Sequence, residues 1–461
     1  MTEKNRSIEF LLEIFEKHKS DPAFIYRGKN HTYAWLLERI SHWRIRLNVE
    51  KILPGSVVAI TGDYSPEICA LFLALIECRA VTVPFASVTG QEKESLSEIA
   101  DLGYEFFFEG GKYIDFKIYD RTVKNPLILK QVSEKLPSLI VFSSGSTGKP
   151  KGILHDFGKL LDKFRIRRKT FKTLTFLQLD HLGGINTLLY AMSNAGTVIS
   201  VPDRTPSTIC EAIEKYKIEL LPVTPSFLNL MLVSGEYKRR DLTSLKIISY
   251  GTEVMPQATL EKVRTVFPDI HLQQTYGLSE LGVLRTKSRE DGSLWVRVGG
   301  EGFQTKIIEN TLWIKAHSAM LGYLNAPDPF DSEGWFNTED QVEVDGEYFR
   351  ILGRKSDVIN VGGQKVFPSE VESILIQMEN IKDAVVMGEN NFLMGNIVIT
   401  RLNLFKPEAI ESVKRRIREF CVGKLSPYKI PVKIEVVPNE LHNARFKRLR
   451  NSISPVTPCL K

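Results

Sequence analysis

Leu139-Ile140-Val141-Phe142 runs directly into Ser143-Ser144-Gly145-Ser146-Thr147-Gly148-Lys149-Pro150-Lys151-Gly152, an apolar strand pattern followed by SSGSTGKPKG. A short apolar run that opens into glycines, hydroxyls and lysines points to an α/β protein that grips an anion at a strand end. Backbone N–H groups of such a loop converge on a phosphate, hydroxyls add donors, and lysines supply mobile point charges. The loop is not a P-loop. That motif, G-x-x-x-x-G-K-[ST], needs a glycine where Ser143 stands and a hydroxyl where Pro150 stands. Pro150 therefore disfavours a kinase or ATPase that would release ADP.

Outward from this stretch, apolar strands alternate with helical periods over the first 350 or so residues. Val57–Ile60, Thr197–Val201 and Leu245–Ser249 read as strands, and Pro206–Lys217 and Gln257–Val266 as amphipathic helices. Ile68–Phe85 reads as a buried helix leading into a strand. Such alternation predicts an α/β fold of helix-covered sheets. After about Phe303 the pattern changes to short antiparallel strands at Thr305–Ile308, Thr311–Ile314, Val342–Val344 and Tyr348–Ile351, with Asp345-Gly346 as a hairpin turn. A polar segment, Gly353–Asp357, then precedes a new α/β unit whose first helix opens with a cap near Ser369. These changes predict an N-terminal domain over 1–353, a hinge at 354–357 and a C-terminal domain over 358–461.

The 461 residues call for two or three domains. Five scattered cysteines form no C-x-x-C pair, which argues for buried free thiols in a reducing compartment and against a zinc site or disulfide framework. The N-terminus lacks the apolar core of a secretory signal, and no run is long and apolar enough to span a bilayer, so a cytoplasmic protein without stable membrane insertion is expected. Most of the net charge of +6 lies from Ser356 onward, where 16 Lys and Arg face 11 Asp and Glu. A solvated basic surface or a phosphate-rich cofactor accounts for that excess. No base-stacking motif or zinc finger points to nucleic acid.

SSGSTGKPKG resembles the [ST]-S-G-[ST]-T-G-x-P-K-G signature of the adenylate-forming enzymes, which include acyl-CoA synthetases, adenylation domains of peptide synthetases and firefly-type luciferases. Further motifs follow in that family's order across nearly the whole chain. Gln274-Thr275-Tyr276-Gly277-Leu278-Ser279-Glu280 resembles Y-G-x-[ST]-E. By that resemblance Tyr276 stacks on adenine, a hydroxyl meets the α-phosphate and Glu280 ligates Mg²⁺. Tyr250-Gly251-Thr252-Glu253 is similar to the segment lining adenine's other face. Gly334–Asp340 resembles W-[FY]-x-T-G-D, with Glu339 in place of the usual glycine, and Asp340 is implied to accept both ribose hydroxyls with Arg354 beside it. Asp180-His181-Leu182-Gly183-Gly184 resembles H-x-x-G, making His181 a guard of an acyl pocket whose walls include Ser226 and Tyr250. In the hinge, Ser356 stands where Asp or Lys is usual, and Gly363 matches the glycine beside a pantetheine arm. Lys447 aligns with the lysine that bridges carboxylate and α-phosphate, Phe446 replacing the usual glycine.

The resemblance implies a large N-terminal domain of helix-covered sheets with a small β-barrel-like subdomain, followed by a small mobile α+β C-terminal domain. It implies ATP, Mg²⁺ and coenzyme A as cofactors. Lys447, Thr147 and Glu280 would be catalytic, and Ser143, Ser144, Gly145, Ser146, Gly148 and Lys151 would hold the β- and γ-phosphates. Gly251, Thr252, Glu253, Thr275, Tyr276, Gly277, Ser279, Asp340, Arg354 and Gly363 would complete the nucleotide and coenzyme sites. The implied reaction joins a small carboxylic acid to AMP, releasing pyrophosphate, and passes the acyl group to coenzyme A. Two alternatives stay open: a free-standing ligase that loads a carrier protein's pantetheine arm, and a degenerate member that binds nucleotide without turnover. Homodimerisation also stays open.

Overall fold

The computed structural model describes residues 7–86, 88, 90–143, 149–300, 302–438, 441–442, 448 and 450. Two seven-stranded sheets build the N-terminal part. In the first, the strands Tyr104–Glu109, Val57–Thr61, Val81–Phe85 and Ser138–Ser143 run parallel in that order. Successive residues of Val57–Ile60 face opposite sides. Val57 and Ala59 pack with Leu96, Ile128 and Ile140, whereas Val58 and Ile60 pack with Phe106 and Leu139. Both faces are thus covered, as parallel strands require.

The second sheet runs His271–Gln274, Ile247–Tyr250, Leu220–Val223, Lys172–Leu174, Thr197–Ser200 and Pro22–Tyr26 in parallel, closed by Lys29–Thr32. Helix Pro66–Glu77 is apolar all round and buries ten of its twelve residues. It packs in a core that holds Phe24 and Val198 of one sheet with Ile60 and Leu139 of the other. Pro66 begins the helix and Ser65 caps it by accepting the Ile68 N–H. A second core lies under helices Pro206–Tyr216, Pro225–Ser234 and Gln257–Val266.

A six-stranded antiparallel sheet follows, including Trp295–Val298, Thr311–Ala316, Phe336–Asp345 and Tyr348–Arg354. Asp345 pairs with Tyr348 across the expected Asp-Gly turn. Arg354 ends the last strand, and a short turn over Lys355–Asp357 leads into a five-stranded sheet with helices Pro368–Leu375 and Ile410–Cys421. The architecture is therefore mixed α/β with a large N-terminal domain and a C-terminal domain.

The helix at 368–375 differs from expectation at its start. Its first residue is Pro368, its N-cap Phe367 supplies no side-chain cap, and Ser369 Oγ instead donates to the Leu352 carbonyl at 2.8 Å. Pro368 has no N–H to satisfy, which lowers the need for a cap. Cys69, Cys210 and Cys421 are buried free thiols, and Cys78 is half-buried and free. No helix among the described residues is long and apolar enough to cross a membrane.

Candidate active site

The candidate segments lie at the carboxyl ends of parallel strands of both sheets: Ser143 ends one, Gly251–Glu253 follows Ile247–Tyr250, and Thr275–Glu280 follows His271–Gln274. In open α/β sheets this is the edge at which ligands bind. Two of these segments are stitched side by side. The Tyr250 carbonyl accepts from Thr275 N at 2.7 Å and from Thr275 Oγ1 at 3.0 Å. A Cβ on Gly251 would meet the Thr275 carbonyl oxygen at 2.8 Å, so the close approach of the two loops needs glycine.

Tyr276 and Asp340 are brought together. The Tyr276 hydroxyl donates to Asp340 Oδ2 at 2.5 Å in a buried contact, and Arg354 Nε lies 3.9 Å from Asp340 Oδ1. Asp340 and Arg354 are cross-strand partners on the two central strands of the antiparallel sheet. Burial pushes the Asp340 carboxyl up to about 6, against the lowering pull of the Tyr276 hydrogen bond and Arg354. The backbone before it is shaped by Thr338, whose hydroxyl donates to the Leu312 carbonyl at 2.7 Å and accepts from Asp340 N at 3.1 Å.

Glu339 has φ +60°, a left-handed conformation that costs a residue with a Cβ about 1–2 kcal/mol. The glycine usual at this position in the resembling motif thus has a conformational reason. After glycine's own entropic cost of about 0.5–1 kcal/mol, Glu339→Gly is expected to stabilise the chain by about 0.5–1 kcal/mol. Its urea midpoint should rise with an unchanged slope.

At the ends of the loop expected to hold phosphates, Ser143 and Lys151 face each other across the hairpin formed by Ser138–Ser143 and Lys151–Asp156. Ser144, Gly145, Ser146, Thr147 and Gly148 lie outside the described residues. Asn325 clamps the return of the loop: its Oδ1 accepts from Gly152 N at 3.0 Å, and its Nδ2 donates to the Pro150 carbonyl at 2.9 Å. Lys151 Nζ sits 4.7 Å from the centroid of the Tyr323 ring, and the Tyr323 hydroxyl donates to Glu280 Oε1 at 2.9 Å. The buried His155 ring bonds the Ser279 carbonyl at 2.7 Å, and burial pulls its pKa down to about 4. The hairpin and the Ser279-Glu280 segment are therefore joined through a neutral imidazole.

Glu280 is half-buried, and among the described residues no cluster of three His, Cys, Asp or Glu side chains forms a metal cage. One oriented carboxylate suits Mg²⁺, which keeps most of its shell as water and phosphate oxygens. The residues present fit that ion.

His181 Nδ1 accepts from Gly183 N at 3.0 Å and caps helix Leu182–Ser193. Tyr250 lies with Met255, Leu260, Val263 and Leu272 in the second core. Ser226, at the start of helix Pro225–Ser234, donates its hydroxyl to Glu253 Oε2 at 2.6 Å. Thr252 adopts φ +71° beside it, and Gly277 lies on the short hairpin of Tyr276–Leu278 and Gly282–Leu284. Gly363 is exposed with no atom within 4 Å of an added Cβ, so what calls for glycine in this arrangement is its φ of +86°. Phe446 and Lys447 lie outside the described residues, but Arg448 N donates to Glu253 Oε1 at 3.0 Å. Asn325, Tyr323, His155 and Arg448 escaped sequence reasoning, since each is recognisable only by its partner.

Known proteins resemble the chain in both sequence and fold. The AMP-binding enzyme family matches over residues 91–307, and the AMP-binding enzyme C-terminal domain over 370–447. Indoleacetate–CoA ligase of Aromatoleum aromaticum is 27% identical over 93% of both chains. A 2-succinylbenzoate–CoA ligase of Bacillus subtilis is 24% identical over 94% of both. An anthranilate CoA ligase solved with anthranoyl-AMP superposes with a TM-score of 0.80, at 18% identity, over 95% of both chains. The Bacillus subtilis O-succinylbenzoate coenzyme A synthetase with ATP and magnesium gives 0.74, at 21% identity, over 95% of this chain and 98% of that one. With both characteristic domains present in order, this chain belongs to the AMP-binding enzyme family.

Proposed function

We propose that the protein is an AMP-forming acid–thiol ligase that converts a carboxylic acid to its acyl-adenylate and then to a coenzyme A thioester. The observation that carries this reading is the buried Tyr276–Asp340 pair with Arg354, set beside the Lys151–Tyr323–Glu280 constellation. An aromatic ring and an ionised carboxylate suit a nucleoside, and a lysine with an oriented acid suits its phosphates. The names of the relatives as CoA ligases support coenzyme A as acceptor over a carrier protein.

In the first step a substrate carboxylate oxygen attacks the α-phosphorus of ATP, the bond to the bridging oxygen breaks, and pyrophosphate leaves. In the second, a thiol sulfur attacks the acyl carbonyl, AMP departs, and the thiol proton goes to solvent. Asp340 holds the ribose, Tyr276 lies along the adenine, and Lys151 with Ser143–Gly148 takes the leaving phosphates. Such catalysis rests on positioning and charge stabilisation. Mg²⁺ on Glu280 would supply charge neutralisation for those oxygens. Lys447 is assigned the bridge between carboxylate and α-phosphate. Domain 358–461 turns about 354–357 relative to 1–353 between the two steps, with Ser356 at the pivot and Gly363 beside the incoming pantetheine.

ATP–pyrophosphate exchange with indole-3-acetate, 4-coumarate, 2-succinylbenzoate and a long-chain fatty acid tests the reading. One acid should drive exchange and, with coenzyme A, yield AMP and thioester in equal amounts. Release of ADP, or AMP without thioester, would overturn it.

A further inference from the structure

We propose that Glu253 is a positioning residue that docks the C-terminal arm, described at Arg448 and Arg450, onto the N-terminal domain for acyl-adenylate formation. This rests on the reaction proposed above and goes beyond the nucleotide-lining role that the sequence suggested for this residue. Both carboxylate oxygens are occupied. Oε2 accepts from Ser226 N at 3.3 Å and Ser226 Oγ at 2.6 Å, and Oε1 accepts from Arg448 N at 3.0 Å. The last bond joins residues 195 apart in the chain. The N–H it uses belongs to the peptide unit that links Arg448 to Lys447 in sequence.

The Arg448 side chain faces the other way. Its guanidinium, 8% exposed, pairs with Glu372, whose side chain is 1% exposed, and lies 3.8 Å from Asp383. Asp383 is buried, which would raise its pKa, yet His442 and Arg448 outweigh that and hold it below its ordinary value. Arg450 adds bonds of 3.0 Å to both oxygens of Glu372 and reaches Asp357, in the hinge turn, at 3.6 Å. Side chains therefore tie the arm to its own domain, and main chain ties it to the other.

The difference matters when the domain turns. The Glu372 pairs travel with the C-terminal domain as one body, while the Glu253 bond must break. Away from the hinge, the other side-chain bonds that cross between the two domains among the described residues are longer and involve no carboxylate: Asn229 to the Lys382 carbonyl at 3.4 Å, Ala258 N to Ser373 Oγ at 3.3 Å, and Lys262 to the Ile376 carbonyl at 3.5 Å. A charge-assisted bond is the stronger kind. Undocking does not orphan Glu253, because Ser226 still satisfies its second oxygen. The contact is thus strong enough to bias the domain arrangement and cheap enough to release. Ser226 starts the helix proposed as a wall of the acid pocket, so the same carboxylate links that wall to the arm.

Hydrogen exchange on the full chain, read at the Arg448 amide, tests the docking without any substrate. Glu253→Ala should speed exchange there by roughly 10- to 100-fold, the range of a charged hydrogen bond, whereas Ser226→Ala should leave it slow. For an acid that the native protein activates, Glu253→Ala should lower pyrophosphate exchange by a similar factor. Thioester formation from preformed acyl-adenylate and coenzyme A should fall by a clearly smaller factor, and Glu253→Gln, which keeps an acceptor oxygen, should recover part of the loss. An unchanged Arg448 amide, or equal loss in both half-reactions, overturns the proposal. If no acid is activated, the reaction assignment fails while the amide still decides the docking.

Discussion

Asp340→Asn will bind AMP about 10- to 100-fold more weakly than the native chain at neutral pH and will nonetheless resist urea better. The weaker binding follows from replacing a charged double acceptor, worth about 1.5–3 kcal/mol in such bonds, with an amide that offers one acceptor oxygen. The added stability follows from burial. The folded state holds this carboxyl at about 6, above the ordinary 3.8, a difference worth about 3 kcal/mol once both states are ionised. Because the folded pKa is raised, the folded state keeps its proton longer than the unfolded chain. The native protein is therefore uncompromised below the unfolded value and loses this stability as pH rises through the window from about 4 to about 6. The advantage of the asparagine variant should be absent at the acid end of that window and complete above it. Binding adds an independent check: native AMP affinity should fall as pH drops through about 6, and the variant should lack that limb. Titration calorimetry beside urea melts across this range measures both. Equal affinities for the two proteins would remove Asp340 from the nucleotide site.

Glu280→Gln should lower acid-dependent pyrophosphate exchange by about 10²–10³-fold, the usual scale for deleting one electrostatic stabiliser of a transition state. The loss should appear as a raised Mg²⁺ requirement together with reduced turnover, since an amide oxygen is a poorer ligand than a carboxylate for a hard cation. Little stability should be lost: Glu280 is half-buried, and its carboxyl is held by the Tyr323 hydroxyl, which an amide oxygen can still accept. Tyr323→Phe separates orientation from ligation. It frees Glu280 Oε1 and leaves Lys151 over an aromatic ring, so a loss of only several-fold is expected. A Glu280→Gln protein with native Mg²⁺ dependence would rule out the metal role.

The family was readable from contiguous motifs because each lies on one short segment whose backbone does the work. The strand Leu139–Phe142, the strand Val57–Ile60 and the helix Gln257–Val266 all depend on neighbours in sequence, and all three occur as expected. Ser369 misled, since a serine near a helix start can equally bond a carbonyl of the preceding domain, as it does with Leu352. His181 and Tyr250 have structural partners that their sequence neighbours do not announce. A polar or aromatic residue beside a pocket motif can serve as a helix cap or a core side chain, and its immediate sequence does not distinguish these uses.

By itself, the sequence determined the two-part α/β architecture and the apolar strand that ends at Ser143, and it singled out Tyr276, Glu280, Asp340 and Arg354 as candidates. Tertiary structure alone decided what those groups are to one another. Tyr276 meets Asp340 across 64 residues, Tyr323 meets Glu280 across 43, and Glu253 meets Arg448 across 195. Local periodicity carries no record of such pairings, which arise when sheets and domains pack against each other. Burial follows from the same packing, and it is burial that moves the Asp340 carboxyl to about 6, making an ordinary aspartate a group whose charge the fold controls.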